Sequence, residues 1–234
     1  MDGGAGSTRL HALDGTDRKV SSQFGEDGVL EAIFATIGTT NRHCVEFGVG
    51  TGVECNTAHL IAQGWTGVLL DSGGVSENPN VVVQREVVTA ENINALLDKY
   101  RVPQEFDLLS VDIDGNDYWV WKATTRQPRV VVIEYNGTRP MLERSAIVYD
   151  PHFRWCGTDY FGASLRALVE LGLDKGYVLV YCAQFGVNAF FIRHTELPLD
   201  FEPTPWTSLY RAFYTGVPRD ERTMLDPVGY VGVV

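Results

Sequence analysis

"CVEFGVGTGVECNT", residues 44–57, reads as a short buried strand that passes through three glycines into a helix. Glycines at such a junction let the backbone approach either a ligand or the next element of the fold. Spacing excludes two phosphate-binding patterns. The loop lacks the Lys-Ser/Thr ending of a P-loop, and its glycines run G-x-G-x-G rather than the G-x-G-x-x-G of a dinucleotide site. It is led instead by Glu46, a carboxylate that would repel a pyrophosphate but suits an ammonium or the surroundings of a sulfonium. The next strand ends in Asp71, nineteen residues beyond Gly52, where an acid can accept both hydroxyls of a ribose. Adenosine joined to an amino acid in place of a pyrophosphate is S-adenosylmethionine, the cofactor this pattern leads us to expect. The plainer alternative is a helix-packing turn flanked by two exposed acids.

Outward from this loop the chain alternates. A helix in "EDGVLEAIFATIG" precedes it, with Val29, Ile33 and Ile37 at helical spacing. Downstream, "TGVLLDSG", "NVVVQREVV", "FDLLSVDID" and "RVVVIEYN" read as strands. "ECNTAHLIAQ", "AENINALLDKY" and "NDYWVWKAT" read as the helices between them. Continuous valine- and leucine-rich runs mark strands buried on both faces, hence an α/β fold with a parallel sheet covered by helices. Residues 137–158 form an irregular, aromatic-rich stretch too long for a passive connection, and a helix in "YFGASLRALVELGLDKG" follows. The last two strands, "YVLVYCAQFG" and "VNAFFIRHT", are so close that they must form an antiparallel hairpin. We expect a flexible arm over residues 1–20, one domain over 21–195, and a tail over 196–234 that packs on the domain or at an oligomer interface. That tail carries Trp206, Tyr210, Phe213 and Tyr214 among several prolines, and would be the route to a homodimer.

Composition narrows the function. The 234 residues are 44% hydrophobic and 21% charged, with a net charge of −11 and no block of lysine or arginine. Nucleic-acid binding needs a positive surface, so a nucleic-acid partner is not expected. No apolar run reaches membrane-spanning length, and the N-terminus lacks the apolar core of a secretory signal. Cys44, Cys55, Cys156 and Cys182 show no C-x-x-C spacing, which predicts free thiols, no structural zinc and a cytoplasmic setting.

Two acidic clusters end adjacent strands: Asp112, Asp114 and Asp117 in "SVDIDGND", and Glu134 with Asn136 in "VVIEYN". In an open α/β sheet such strand ends flank the ligand crevice. Crowded carboxylates need a cation, a shared proton or a cationic substrate. Asp112, Glu134 and Asn136 offer the oxygen donors Mg²⁺ prefers, and a metal there would orient an acceptor hydroxyl. The alternative is that Asp112 serves the cofactor, Asp114 and Asp117 cap the next helix, and no metal binds. His152 is a candidate general base or a surface residue. Tyr149, Phe153, Trp155, Tyr160 and Phe161 are candidate walls for a small-molecule substrate, or anchors of their loop.

Glu46–Gly52 matches the E-x-G-x-G-x-G motif, and here the chain resembles the class I S-adenosylmethionine-dependent methyltransferases. Val111–Asp117 further resembles the I-D-V-E-G-x-E pattern of the FkbM-like subgroup, with two glutamates replaced by aspartates. The resemblance implies a Rossmann-like, seven-stranded, mostly parallel sheet with an antiparallel C-terminal hairpin and helices on both faces. It implies that Gly48, Gly50 and Gly52 pass beneath the methionine moiety and that Asp71, with Ser72 beside it, holds the ribose. Val88 or Thr89 would border the adenine, and Asp112 would face the methionine amine. "SSQFGEDG" resembles a lead-in that sits near the cofactor mouth in that subgroup, which brings Gln23 into the site. The implied activity is methyl transfer to a small molecule, with a hydroxyl oxygen as the expected acceptor.

Overall fold

The computed structural model describes residues 10–213 and 216–229. The first helix, α1 (Glu26–Ile37), leads into β1 (His43–Phe47), α2 (Ala58–Ala62), β2 (Thr66–Asp71) and β3 (Val83–Arg85). Then come α3 (Ile93–Lys99), β4 (Glu105–Val111), α4 (Asp117–Ala123) and β5 (Gln127–Glu134). After the irregular stretch, α5 (Leu165–Asp174) precedes β6 (Tyr177–Cys182) and β7 (Asn188–Arg193), and a short α6 (Trp206–Leu209) lies in the tail.

The seven strands form one sheet in the order β3-β2-β1-β4-β5-β7-β6. β1 to β5 pair in parallel, whereas β7 is antiparallel to both β5 and β6. The chain thus reverses its direction of growth between β1 and β4, the switch point at which open sheets part to form a crevice. Alternation along the central strands explains their continuous apolar character. Val131 and Ile133 pack with α3, α4 and α5 on one face, whereas Val130 and Val132 pack with α1 and α2 on the other.

Three expectations change. Helix α2 begins at Ala58, not Glu54, because Glu46 holds Asn56 and Thr57 back on the sheet. β3 keeps three of the residues of "NVVVQREVV". The segment read as a flexible arm is anchored over residues 10–20: Leu10 and Leu13 are buried against α1, and the Tyr181 hydroxyl donates to Asp17 at 2.5 Å. Residues 1–9 and Tyr214 lie outside the described residues. Of the tail, Trp206, Leu209, Tyr210 and Leu225 pack against the main core. All four cysteines are free, with Cys44, Cys55 and Cys182 buried. Among the described residues no helix is long and apolar enough to cross a membrane.

At the amino-terminal end of the sheet, Arg129 forms a buried ion pair with Asp107 at 2.8 Å and a second with Glu196 at 2.7 Å. Its remaining donors reach the carbonyls of Ile37 and Gly38 at the end of α1. This network ties β4, β5, α1 and the chain after β7 together, leaving the opposite edge of the sheet to the site.

Candidate active site

The glycine loop is built around close approaches. Gly48 has φ 77°, and a Cβ there would lie 1.5 Å from the Asp112 carbonyl oxygen, so only glycine lets the ends of β1 and β4 meet. Gly50 has φ 53° with open space where a Cβ would point, and its N–H donates to Asp71 Oδ2 at 3.0 Å. Gly52 serves packing instead: a Cβ would lie 2.7 Å from Val81 Cγ2, and the residue borders none of the cavities at the strand ends. Glu46 also departs from expectation. Its buried carboxylate accepts from the N–H groups of Asn56 and Thr57, the Thr57 hydroxyl and the Ser110 hydroxyl at 2.6–3.2 Å. Glu46 therefore folds the segment before α2 back onto the sheet and does not face the crevice.

Three adjoining cavities lie over the carboxyl ends of the strands. The first, about 310 Å³, runs between Asp71, Ser72 and Val88 on one side and Ile113, Asn116 and Phe153 on the other. The second, about 530 Å³, follows the loop along Gly48, Gly50 and Thr51 to Gln23. The third, about 330 Å³, is enclosed by Phe24, Glu134, Tyr135, Trp155, Phe161 and Phe213. Asp114 lines all three and Asp112 the second and third, so these acids stand where the cavities meet.

In the first cavity Asp71 is held by two amides, Gly50 N–H on Oδ2 and Gly73 N–H on Oδ1 at 2.6 Å. A carboxylate has about four lone-pair sites, so acceptor capacity remains for a diol. Thr89, the alternative to Val88, lines none of the three cavities; its N–H donates to Asn92 Oδ1 at 2.8 Å in the turn before α3.

Oxygens of Asp112, Asp114 and Glu134 all lie within 4.8 Å of one another. Asp114 has φ 56°, a conformation rare for a residue with a side chain. Asp117 enforces it, accepting from the N–H groups of Ile113 and Gly115, each at 2.8 Å. Of the residues in "DIDGND", then, Asp117 is a structural clamp and Asp114 a cavity acid. Burial pushes the Asp117 carboxyl up to about 6. Burial, followed by the charge of its acidic neighbours, pushes Asp112 and Glu134 well above the usual carboxylate range. Glu134 Oε2 is buried without a hydrogen-bond partner.

A carboxyl whose pKa is raised on folding keeps its proton in the native state while the unfolded chain loses its own. Stability then falls as pH climbs from the unfolded value, about 4.3 for Glu, through the folded one. Glu134→Gln removes this penalty. Thermal unfolding at pH 8 is expected to show a higher Tm for the variant, by ~2–4 °C per kcal/mol relieved, with the gain vanishing near pH 4. An equal or lower Tm at pH 8 would show that Glu134 is not held against its neighbours' charge.

The remaining candidates divide. Asn136 is buried and fully committed: its amide group donates to the Asp159 and Phe161 carbonyls at 2.9 Å, and its oxygen accepts from Thr138. It braces the loop after β5 and is not available as a metal ligand. His152 is exposed and lines none of the three cavities, so it has no access to a hydroxyl bound there. Tyr149 fastens its loop to the turn before α3, accepting from Ala90 N–H and donating to Glu91. The Tyr160 hydroxyl accepts from Val148 N–H, also inside the loop. Phe153, Trp155 and Phe161 do line cavities.

Gln23 reaches the second and third cavities because Asp27 gathers the lead-in, accepting from the N–H groups of Val20, Ser21 and Ser22 at 2.8 Å. Glu26 accepts from Phe24 N–H and Asn188 and holds the same turn to β7. Phe24, Glu86, Asn116 and Val217 are lining residues that the sequence did not single out, and Phe213, read there as part of a packing or interface segment, lines the third cavity. Glu86 had a signal, lying one residue beyond β3; the tail residues had none beyond their aromatic and apolar character.

Residues 31–178, well over half of the chain, match the family model described as the methyltransferase FkbM domain. No curated protein matches the chain.

Proposed function

The chain belongs to the FkbM methyltransferase family, and from that premise we propose that its crevice binds S-adenosylmethionine and directs a methyl group to a hydroxyl oxygen of a small molecule seated in the third cavity. The observation that carries this reading is the run of three joined cavities with Asp112 and Asp114 at their meeting point. When bound, S-adenosylmethionine supplies an electrophilic methyl on a sulfonium. The residues present fit it. Gly48 and Gly50 leave backbone room, Asp71 accepts from the ribose hydroxyls, and Val88 with Ile113 offers apolar faces to the adenine. Asp112 and Asp114, both lining the second cavity, supply negative charge for the methionine ammonium.

The protein's contribution to the transfer is mostly positional: it holds the acceptor oxygen in line and at near-attack distance. The Asp112–Glu134 pair borders the acceptor cavity, orients the hydroxyl and takes its proton as the new bond forms. The raised pKa values of both groups make the pair a stronger base than an exposed carboxylate. The magnesium set read from the sequence does not fit, because both ends of the Asn136 amide are engaged.

Mass spectrometry of the products tests the reaction. Incubation with S-adenosylmethionine and a library of hydroxylated small molecules should give S-adenosylhomocysteine and a product 14 mass units heavier. Turnover without any acceptor, yielding methylthioadenosine, would replace methyl transfer by intramolecular displacement. Binding gives a residue-level check. Asp71→Ala removes charged hydrogen bonds of about 1.5–3 kcal/mol, so S-adenosylhomocysteine affinity should fall ~10–100-fold with little change in Tm. Unchanged affinity would remove Asp71 from the ribose site.

A further inference from the structure

We infer that the hydroxylated acceptor is a small organic cation, its ammonium beside its hydroxyl on the acidic floor of the third cavity and its apolar body between the aromatic walls. This inference rests on the methyltransferase reading and adds the chemical class of the acceptor. Asp112, Asp114 and Glu134 bring three carboxyl groups to one side of a cavity of about 330 Å³. Among the described residues lining that cavity there is no lysine, arginine or histidine. No basic side chain therefore faces the acids of the floor, and Glu134 Oε2 is buried without a hydrogen-bond partner. The methionine ammonium accounts for part of that charge through Asp112 and Asp114, which also line the second cavity. Glu134 lines the third cavity alone. A cation in that space takes the place of the proton that Glu134 shares with Asp112.

Two kinds of cation could meet it. A hydrated Mg²⁺ keeps several waters and needs polar surroundings. The walls here are instead Phe24, Trp155, Phe161 and Phe213, whose ring faces attract an ammonium and whose bodies bury an apolar frame. An anionic acceptor would meet three acids and no counter-charge.

Phe213 enters from the tail, beyond the residues that match the family model. Its position is fixed by structure: Phe213 N–H donates to the Gly137 carbonyl at 3.0 Å, and the Tyr135 hydroxyl donates to the Arg211 carbonyl at 2.6 Å. A Cβ on Gly137 would lie 2.7 Å from the Phe213 backbone nitrogen, and one on Gly186 would lie 2.7 Å from the Ala212 carbonyl carbon. These two glycines leave the space in which the tail is seated, making the tail a built wall of the acceptor cavity.

The test uses three probes of similar shape and different charge on the full chain saturated with S-adenosylhomocysteine: phenethylamine, 2-phenylethanol and phenylacetate. Calorimetry should show phenethylamine binding at least about tenfold tighter than 2-phenylethanol, with phenylacetate undetected. Glu134→Gln should erase that preference, and Phe213→Ala should weaken the amine while S-adenosylhomocysteine affinity stays unchanged. Equal or tighter binding of the alcohol or the carboxylate would overturn the inference. So would binding of none of the three, or displacement of the amine by MgCl₂. Failure of S-adenosylhomocysteine itself to bind would instead remove the methyltransferase reading beneath it.

Discussion

Gly48→Ala is expected to cost more than about 4 kcal/mol of stability and to abolish cofactor binding, whereas Gly50→Ala should spare the fold and lose only the ligand. Both glycines are left-handed, at φ 77° and 53°, so each alanine incurs roughly 1–2 kcal/mol of backbone strain. The difference lies in what the methyl group meets. At residue 48 it would sit 1.5 Å from the Asp112 carbonyl oxygen, and relief requires the ends of β1 and β4 to part. That movement breaks the Asp112 N–H bond to the Phe47 carbonyl and shifts the acid at the meeting point of the cavities. At residue 50 the methyl group meets nothing within 4 Å, because it projects into the crevice. Thermal unfolding should therefore show a Tm drop of ~8 °C or more for Gly48→Ala and a smaller one, ~2–8 °C, for Gly50→Ala. S-adenosylhomocysteine affinity should fall more than about tenfold in the second variant despite its near-native stability. Full affinity in Gly50→Ala would mean that no ligand passes over this loop.

Arg129→Met is expected to be the most damaging substitution away from the crevice, at about 3–5 kcal/mol. It strands Asp107, whose carboxylate is fully buried and accepts from the N–H groups of Thr40, Asn41 and Arg42. Burial alone would raise the Asp107 pKa, but the Arg129 bond and these amides outweigh it and hold the carboxyl below its ordinary value. The stabilisation is fully present above the unfolded pKa near 3.9 and is lost as pH falls through the folded one. Wild type and variant should therefore differ by ~6–20 °C in Tm at pH 7 and converge under acid. Because the network lies at the opposite end of the sheet, the folded variant should keep its S-adenosylhomocysteine affinity. A difference in Tm that persists undiminished into acid would show that lost packing, not charge, dominates.

The two predictions separate what the sequence could and could not convey. Strand ends were legible because apolar runs stop where the sheet stops, which placed Asp71, Asp112 and Glu134 at one edge. The direction in which a polar side chain turns at that edge was not. Glu46 turns inward because Ser110 and Thr57, distant in sequence, offer it hydroxyls. Asn136 turns into its loop because the Asp159 and Phe161 carbonyls approach it there. Asp114 and Asp117 looked interchangeable in "DIDGND", and only the turn that Asp117 clamps separates cavity acid from brace. The third cavity was the least legible part, since its walls come from residue 24, the aromatic loop and the tail, which nothing local links.

Calorimetric titration of the wild-type chain with S-adenosylhomocysteine, repeated on Asp71→Ala and Gly50→Ala, tests the central claim most directly. Binding at one site per chain, weakened at least about tenfold in both variants, is the predicted result. No binding by the wild type, or equal affinity in all three proteins, would contradict it.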